Sequence, residues 1–368
     1  MPAPRVLVNA ISLTQGGGRS YVRNLLREVS RDSRGFEFVV LTAAGKLSPE
    51  EASGVEIAEV SLPRERSVLR TVGRVFYEET CLPRRALAYD LVYCLADLSP
   101  AWGRIPTIVA LRNFNIYDRR FYDGPRTRLL LRLVQMGARR ARGIVCPTRA
   151  AANAIAPVVG VDPERFSIVH HGITPEAFLG ASAADRTEAR YLFYPAALER
   201  HKNMPRLFEA LQYIDPAIHL WIAGGADLDP EWAAHVRDQV RVRGLEGRVR
   251  FLGQVPYEKI LGYYRGAEML VFPSMVETFG HPLLEAMVAG TPVAASDIPS
   301  FREVAGDVAA YFDPNDARAI ARTVEAVLER PEQARARIAR GHERAKGFTW
   351  ERSVDLLCEC FERGLEPA

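Results

Sequence analysis

The chain has 368 residues, 48% hydrophobic and 25% charged, the balance of an ordinary soluble globular protein long enough for about two domains. No run approaches the ~20 uninterrupted apolar residues of a membrane-spanning helix. The five cysteines, odd in number and without a Cys-x-x-Cys pair, argue against a disulfide framework or a zinc site. Buried, reduced thiols and a cytosolic setting are expected instead. The net charge of +3 conceals an asymmetry: up to Gly172 there are 25 Lys and Arg against 16 Asp and Glu, which leaves 23 against 29 beyond it.

The first strand is expected at Arg5–Ala10, so close to the N-terminus that no signal peptide is expected. A glycine run, Gly16–Gly18, then precedes a helix expected to start near Ser20. Glycines allow close backbone approach, and a helix N-terminus offers free N–H groups to phosphate; a flexible connector is the alternative. A dinucleotide fingerprint would need glycine where Tyr21 stands and an acidic residue after the second strand, and "FEFVVLTAAG" offers none, which argues against NAD. Tyr21, Val22, Leu25, Leu26 and Val29 form the apolar stripe of this first helix. Arg19, Arg23 and Arg27 recur along its solvated face.

Further strands are expected at Glu37–Thr42, Leu91–Leu95, Thr107–Leu111, Gly143–Pro147 and Ser167–His170. Between them, Arg119–Arg142 carries eight arginines interleaved with leucines. This reads as a solvated amphipathic helix, or as a face for an anionic membrane or lipid-phosphate acceptor. No nucleic-acid-binding module is visible. The pattern is interrupted at Gly172–Arg186 by Gly, Pro, Ser and Asp, a joint between domains.

The second half repeats the alternation, with strands expected at Tyr191–Tyr194, His219–Ala223, Val249–Leu252, Met269–Phe272, Pro292–Ser296 and Ala309–Phe312. Val236, Val240 and Leu245 mark one helical stripe. Two βαβα series predict an α/β protein of two doubly wound, Rossmann-like domains facing a cleft. The expected boundaries are 1–172 and 173–348. A C-terminal amphipathic helix over 349–368, opened by Thr349, is expected to pack back toward the first domain. Ligands of such sheets bind beyond the carboxyl ends of the strands.

The motifs of the second half fall at those ends. Lys202, one of only four lysines, follows the strand Tyr191–Tyr194, where a point charge suits a leaving phosphate; a solvated surface lysine is the alternative. Asp227-x-Asp229 could suggest a metal site, but Asp229 before Pro230 and Glu231 reads as a helix N-cap, and no metal is expected. The stretch "FPSMVETFGHPLLEAM" places Glu277 in a loop and Glu285 on a helix starting near His281, with Leu283, Leu284, Met287 and Val288 on its buried face. Glu285 lies roughly 130° from that face at ~100° per residue. A carboxylate near a helix N-terminus stabilises it by a few tenths of a kcal/mol. Beside a docked diphosphate it costs about 2 kcal/mol at ~7 Å and an effective dielectric of ~20. Accepting two hydroxyl hydrogen bonds, at about 1.5–3 kcal/mol each, offsets that. One glutamate would then hold a ribose diol and the other a sugar diol, with the phosphates on the N–H groups of Phe279 and Gly280.

The whole block "GAEMLVFPSMVETFGHPLLEAMVAGTPVAASDIPSFREV" resembles the signature of family-4 retaining glycosyltransferases of the GT-B fold, supported by "HKN", "FLGQV" and "FTWERS". The resemblance implies a nucleotide-diphosphate sugar donor on the second domain and needs neither metal nor cofactor. It implies catalytic roles for Glu277 at the sugar hydroxyls and Lys202 at the diphosphate. The donor-binding set it implies is Gly17, Gly18, Val255 near the base, Ser274, Phe279, Gly280, and Glu285 at the ribose. Two positions depart from the pattern. Ala197 stands where the family pairs an arginine with the lysine, and Arg200 is a candidate substitute. Arg112, after "IVAL", stands where the family often has a histidine, and its candidate roles are phosphate stabilisation, acceptor binding or a rim salt bridge.

The resulting expectation is a cytoplasmic enzyme, peripheral on the inner face of the membrane. It would pass a hexose to a polysaccharide, lipid-linked or glycolipid acceptor. A nucleotide-sugar epimerase or hydrolase of the same fold, and a catalytically silent nucleotide-sugar-binding subunit, are the alternatives.

Overall fold

A computed structural model of the full chain describes residues 2–12, 16–62, 68–175, 189–226 and 229–367. It divides into two units, Met1–Gly172 with Thr349–Ala368, and Ile173–Phe348.

In the first unit the strands are β1 (Arg5–Asn9), β2 (Glu37–Ala43), β3 (Glu56–Val60), β4 (Leu91–Cys94), β5 (Thr107–Ala110), β6 (Gly143–Cys146) and β7 (Phe166–Ile168). They form a parallel sheet in the order β3-β2-β1-β4-β5-β6-β7, so the winding direction reverses between β1 and β4. Central strands such as Leu91–Cys94 are buried on both faces, which is why they read as continuous apolar runs. One face is covered by the helix Gly16–Arg31, whose stripe Tyr21, Val22, Leu25, Leu26 and Val29 is buried throughout. On the same core lies the terminal helix Trp350–Leu365, contributing Trp350, Val354, Leu357 and Phe361. Thr349 caps it, accepting from the Arg352 amide at 3.1 Å.

The second unit holds β8 (Arg190–Pro195), β9 (Ile218–Ala223), β10 (Val249–Gly253), β11 (Met269–Phe272), β12 (Val293–Ser296) and β13 (Ala310–Phe312). The order β10-β9-β8-β11-β12-β13, again parallel, puts its reversal between β8 and β11. One core runs through it, with Tyr191 stacked on Trp221 at 3.9 Å between ring centroids.

Two sequence expectations are corrected. The strand β3 was not foreseen: "EIAEV" lies at the sheet edge with both glutamates exposed, so burial imposes little apolar pattern on it. The glycine run does not precede the first helix; it forms its first turn, since the helix begins at Gly16 rather than near Ser20. All five cysteines are free thiols. Among the described residues, no helix is long and apolar enough to cross a membrane.

Candidate active site

In the second unit the carboxyl ends of β8 and β11 lie side by side at the point of reversal, where a crevice is expected. The loops leaving these strands are stitched together. Tyr194, on β8, donates to the Lys202 carbonyl at 2.9 Å and lies 3.2 Å from the Ser274 hydroxyl. The Met275 amide donates to the His201 carbonyl at 2.9 Å. Asn203, held at φ 58°, donates from Nδ2 to the carbonyls of Pro273 (3.1 Å) and Pro314 (2.8 Å). Ser274 is wholly buried in this seam.

The seam brings together two residues that are 75 positions apart. Lys202 Nζ donates to Glu277 Oε1 at 2.5 Å, with both side chains about 15% exposed (15% and 14%). Burial pushes the Glu277 carboxyl up, but the charges of Lys202 and His201 and hydrogen bonds from Lys202 and Ser274 outweigh it. The carboxyl therefore sits below its ordinary value and is ionised at neutral pH.

The loop then turns into the helix His281–Ala289 through Gly280, at φ 99°. A side chain there is excluded twice: the φ is left-handed, and a Cβ would sit 2.8 Å from Phe301 Cε1. Phe279 is buried, its ring 5.3 Å from His281 and 6.0 Å from Phe348. Pro282 brings no N–H to the first turn of this helix, and the Leu283 amide donates to the Gly280 carbonyl at 3.0 Å. Glu285 lies one turn in, half-buried, and accepts from the Tyr264 hydroxyl at 2.6 Å. Burial raises its carboxyl above the ordinary value, against hydrogen bonds from Tyr264 and Tyr257. Two carboxylates on one loop and helix are thus pushed in opposite directions by their surroundings.

The neighbouring loops are tight. A Cβ on Gly224, after β9, would fall on the Ala196 carbonyl oxygen after β8. Val255, in the loop beyond β10, packs half-buried against the core of the unit. Asp229 is the expected N-cap, accepting from the Trp232 amide at 3.0 Å. It also holds Arg200, whose Nε lies 3.0 Å from Asp229 Oδ2 and whose guanidinium lies 5.0 Å from the Trp232 ring. Asp227 lies outside the described residues.

In the first unit, Gly17 and Gly18 belong to the first turn of the helix after β1. Arg112 follows β5, and its guanidinium lies 4.1 Å from the centroid of the Tyr21 ring. Its amide donates to Asp97 Oδ1 at 2.9 Å. Asp97, buried and at φ 58°, also accepts from the Asn113 amide (3.2 Å) and the Tyr117 hydroxyl (2.6 Å). Burial raises its carboxyl, opposed by those donors and the Arg112 charge. Asp97, Tyr194, Asn203 and Tyr264 organise the strand ends, yet none was singled out from the sequence.

The family model described as "Glycosyltransferase Family 4" matches residues 15–177, and "Glycosyl transferases group 1" matches residues 180–344. The chain belongs to the family-4 glycosyltransferases. It is 36% identical over 162 residues to O-antigen chain mannosyltransferase B of Escherichia coli, covering 44% of this chain and 42% of that one. It is 28% identical over 232 residues to O-antigen chain mannosyltransferase RfbU of Salmonella typhimurium strain LT2, 61% of this chain and 64% of the relative. The matches thus span about two fifths and just under two thirds of these two relatives. D-inositol 3-phosphate glycosyltransferase 1 of Catenulispora acidiphila aligns over 95% of this chain and 91% of its own length at 25% identity. Among solved structures, Anabaena Alr3699/HepE in complex with UDP and glucose superposes with a TM-score of 0.79 at 16% identity, covering 98% of this chain and 99% of that one. Sucrose-phosphate synthase (tll1590) from Thermosynechococcus elongatus gives 0.77 at 20% identity, with 98% of each chain covered. The architecture is the GT-B fold.

Proposed function

We propose that the protein is a retaining glycosyltransferase that moves a hexose from a nucleotide-diphosphate sugar to a polysaccharide, lipid-linked or glycolipid acceptor. The observation that carries this reading is the Lys202–Glu277 pair, held over the β8/β11 reversal beside the helix N-terminus at Gly280. The ionised Glu277 accepts hydrogen bonds from donor-sugar hydroxyls. Lys202 and the amides of Phe279 and Gly280 take the diphosphate, with Ser274 fixing the loop. Glu285, oriented by Tyr264, accepts from the ribose hydroxyls, and Val255 borders the base.

In the transfer step the anomeric C–O bond to phosphate breaks as an acceptor hydroxyl bonds to the same face of that carbon. The departing phosphate oxygen takes the hydroxyl proton. Lys202 and the helix amides offset the charge that builds on the phosphate, so in this reading no metal or cofactor takes part. Arg112, beside Tyr21, is assigned to the acceptor or to phosphate charge. The mannosyltransferase relatives and the Anabaena neighbour's complex with UDP and glucose support a hexose, a glycan acceptor and a nucleotide donor.

A peripheral position on an anionic, cytoplasm-facing membrane is part of the proposal. Val72 and Phe76 are 58% and 62% exposed on the helix Val68–Phe76, and Leu129 and Met136 are 59% and 52% exposed on the arginine-rich helix Pro125–Arg140. Arg126 joins the two helices through Thr71 Oγ1 at 2.8 Å. Apolar and cationic side chains on joined helices suit a lipid interface.

Glu277→Gln is expected to keep the fold and lower transfer about 100-fold, read as nucleoside diphosphate released from the sugar nucleotide in the presence of acceptor. Full activity would overturn the role of Glu277. Thermal-shift titration with UDP, GDP, ADP and dTDP identifies the base, since a ligand at 100 times its dissociation constant adds about 2.7 kcal/mol. One observation favours a second reading. With Ala197 in place of an arginine and Arg200 committed to Asp229, the phosphate clamp is thinner, as in a subunit that binds sugar nucleotide without turnover. Tight nucleotide binding with no product on any acceptor would favour that subunit.

A further inference from the structure

A groove of about 380 Å³ lies along the outer side of β13, between the helices Ala317–Leu328 and Pro331–Ala345. That volume is in the range of small-molecule sites. Its rim carries Arg322, Arg330, Thr323 and Gln333 over an apolar floor that includes Ala326 and Val327. Arg337 stands at one end, donating to the carbonyls of Asp307, Val308 and Ala309, so its charge is satisfied by dipoles rather than by a carboxylate. Arg322 reaches Asp316 only at 3.4 Å, both exposed, and Arg330 makes no ion pair among the described residues. The one acid in the lining, Asp313, already accepts from the Asn315 amide (2.8 Å) and from Asn315 Nδ2 (3.0 Å). Arg322, loosely paired with Asp316, and Arg330, with no ion pair among the described residues, leave the groove with an excess of positive charge that suits an anion. Arginine forks match phosphate oxygens. The flanking hydroxyl and amide offer partners to sugar-type hydroxyls, and the shallow apolar floor suits a carbon skeleton.

The far end of the groove leads to the catalytic loops. The chain leaves β13 through Asp313 and Pro314, and the Pro314 carbonyl accepts from Asn203 Nδ2 at 2.8 Å. The same amide group holds the Pro273 carbonyl at 3.1 Å, and Asn203 directly follows Lys202. One side-chain amide therefore ties the ends of β8, β11 and β13 together. Asp316, the partner of Arg322, caps the helix Ala317–Leu328 just after this loop, accepting from the Arg318 and Ala319 amides. A ligand that draws Arg322 away from Asp316 acts on the segment that Asn203 grips.

We propose that this groove binds a small phosphorylated polyol, and that its occupancy is coupled through Pro314 and Asn203 to the position of Lys202. The coupling, unlike the binding, rests on the donor-site reading above. Titration calorimetry with glucose 6-phosphate, inorganic phosphate and glucose tests the site. Glucose 6-phosphate is expected to bind the native protein and Lys202→Ala within about fivefold of each other, and about tenfold or more weakly to Arg322→Glu/Arg330→Glu. Inorganic phosphate should bind more weakly, and glucose not at all. Equal affinity in the double arginine variant, loss of binding in Lys202→Ala, or no binding to the native protein overturns the proposal. Equal binding of inorganic phosphate overturns its polyol part.

For the coupling, the dissociation constant of the nucleotide chosen by the thermal-shift screen is measured with and without saturating glucose 6-phosphate. A change of about fivefold is expected in the native protein and none in Asn203→Gly, which keeps the backbone angle and removes both amide bonds. An unchanged constant in the native protein overturns the coupling. If no nucleotide binds at all, the donor-site reading fails while the groove, read without nucleotide, still stands or falls on its own titration.

Discussion

Removing the ammonium from the Lys202–Glu277 pair isolates what holds the candidate site together. At the observed 2.5 Å and an effective dielectric of ~20, the gross attraction is about 6–7 kcal/mol. Desolvating two mostly covered charges consumes much of that, so the net worth of the pair is small. Leaving one charge without its partner is different: the desolvation remains and the attraction does not, a loss of about 3 kcal/mol for a site this covered. Lys202→Met should therefore destabilise the second unit at pH 7 by about 3 kcal/mol, or roughly 6–12 °C in its melting temperature for a unit of this size.

The pH dependence fixes the sign. Glu277 is depressed in the folded protein, so its contribution is present above the unfolded carboxyl value of about 4.3 and is lost as pH falls through the lower folded value. Without Lys202, burial is opposed only by His201 and Ser274, and the carboxyl moves up. The gap between native protein and Lys202→Met should thus be wide at pH 7 and narrow toward pH 4, where the variant's Glu277 takes a proton. Lys202→Met/Glu277→Gln, with neither charge, should recover most of the loss at pH 7. Scanning calorimetry of the three proteins across that range is the assay. If the single and double variants melt together at every pH, the pair carries no buried charge and the electrostatic reasoning is wrong.

Tyr264→Phe removes the 2.6 Å hydrogen bond that orients Glu285 and should weaken nucleotide binding about tenfold, near 1.4 kcal/mol, with a smaller effect on turnover; equilibrium titration checks it. Gly280→Ala forces a side chain into a left-handed turn and against Phe301, and should cost about 1–3 kcal/mol in denaturant unfolding. Asp97→Asn keeps the shape but gives Oδ1 and its three donors an uncharged acceptor, at a cost of about 1–2 kcal/mol seen as a lower melting temperature of the first unit.

The parts of the fold legible from the sequence are those that burial dictates. Strands covered on both faces, such as Met269–Phe272, and the stripe from Tyr21 to Val29 announce themselves because every exposed alternative would waste apolar surface. β3 did not, because an edge strand with one neighbour has half its residues in water. Glu277 and Lys202 could each be singled out as a charge at a strand end, but their contact depends on β8 and β11 being neighbours, which no local pattern encodes. Tyr264 and Asn203 were hidden for a related reason. A tyrosine in "YYRG" reads as core, and an asparagine before a helix reads as a turn, until the partners Glu285, Pro273 and Pro314 come within reach.

The pairing of Lys202 with Glu277 bears on how both can serve a donor at once. The ammonium has three donors, of which one goes to Glu277 Oε1, leaving two for phosphate oxygens. The carboxylate has lone pairs beyond the one Lys202 uses and is kept ionised by its neighbours, so it retains the capacity that the proposed contact with sugar hydroxyls requires. On the proposed reading, donor binding would add partners to the pair without breaking it. The lysine stays aimed by the carboxylate, and the carboxylate is shielded by the lysine from repulsion by the diphosphate. A lysine fixed by Tyr194 on one side of its backbone and by Asn203 on the other loses little freedom on binding. On this argument Glu277→Gln should weaken phosphate binding as well as sugar contact, because the lysine loses its guide. A Glu277→Gln protein that bound nucleoside diphosphate as tightly as the native one, while failing to transfer, would assign Glu277 to the sugar alone.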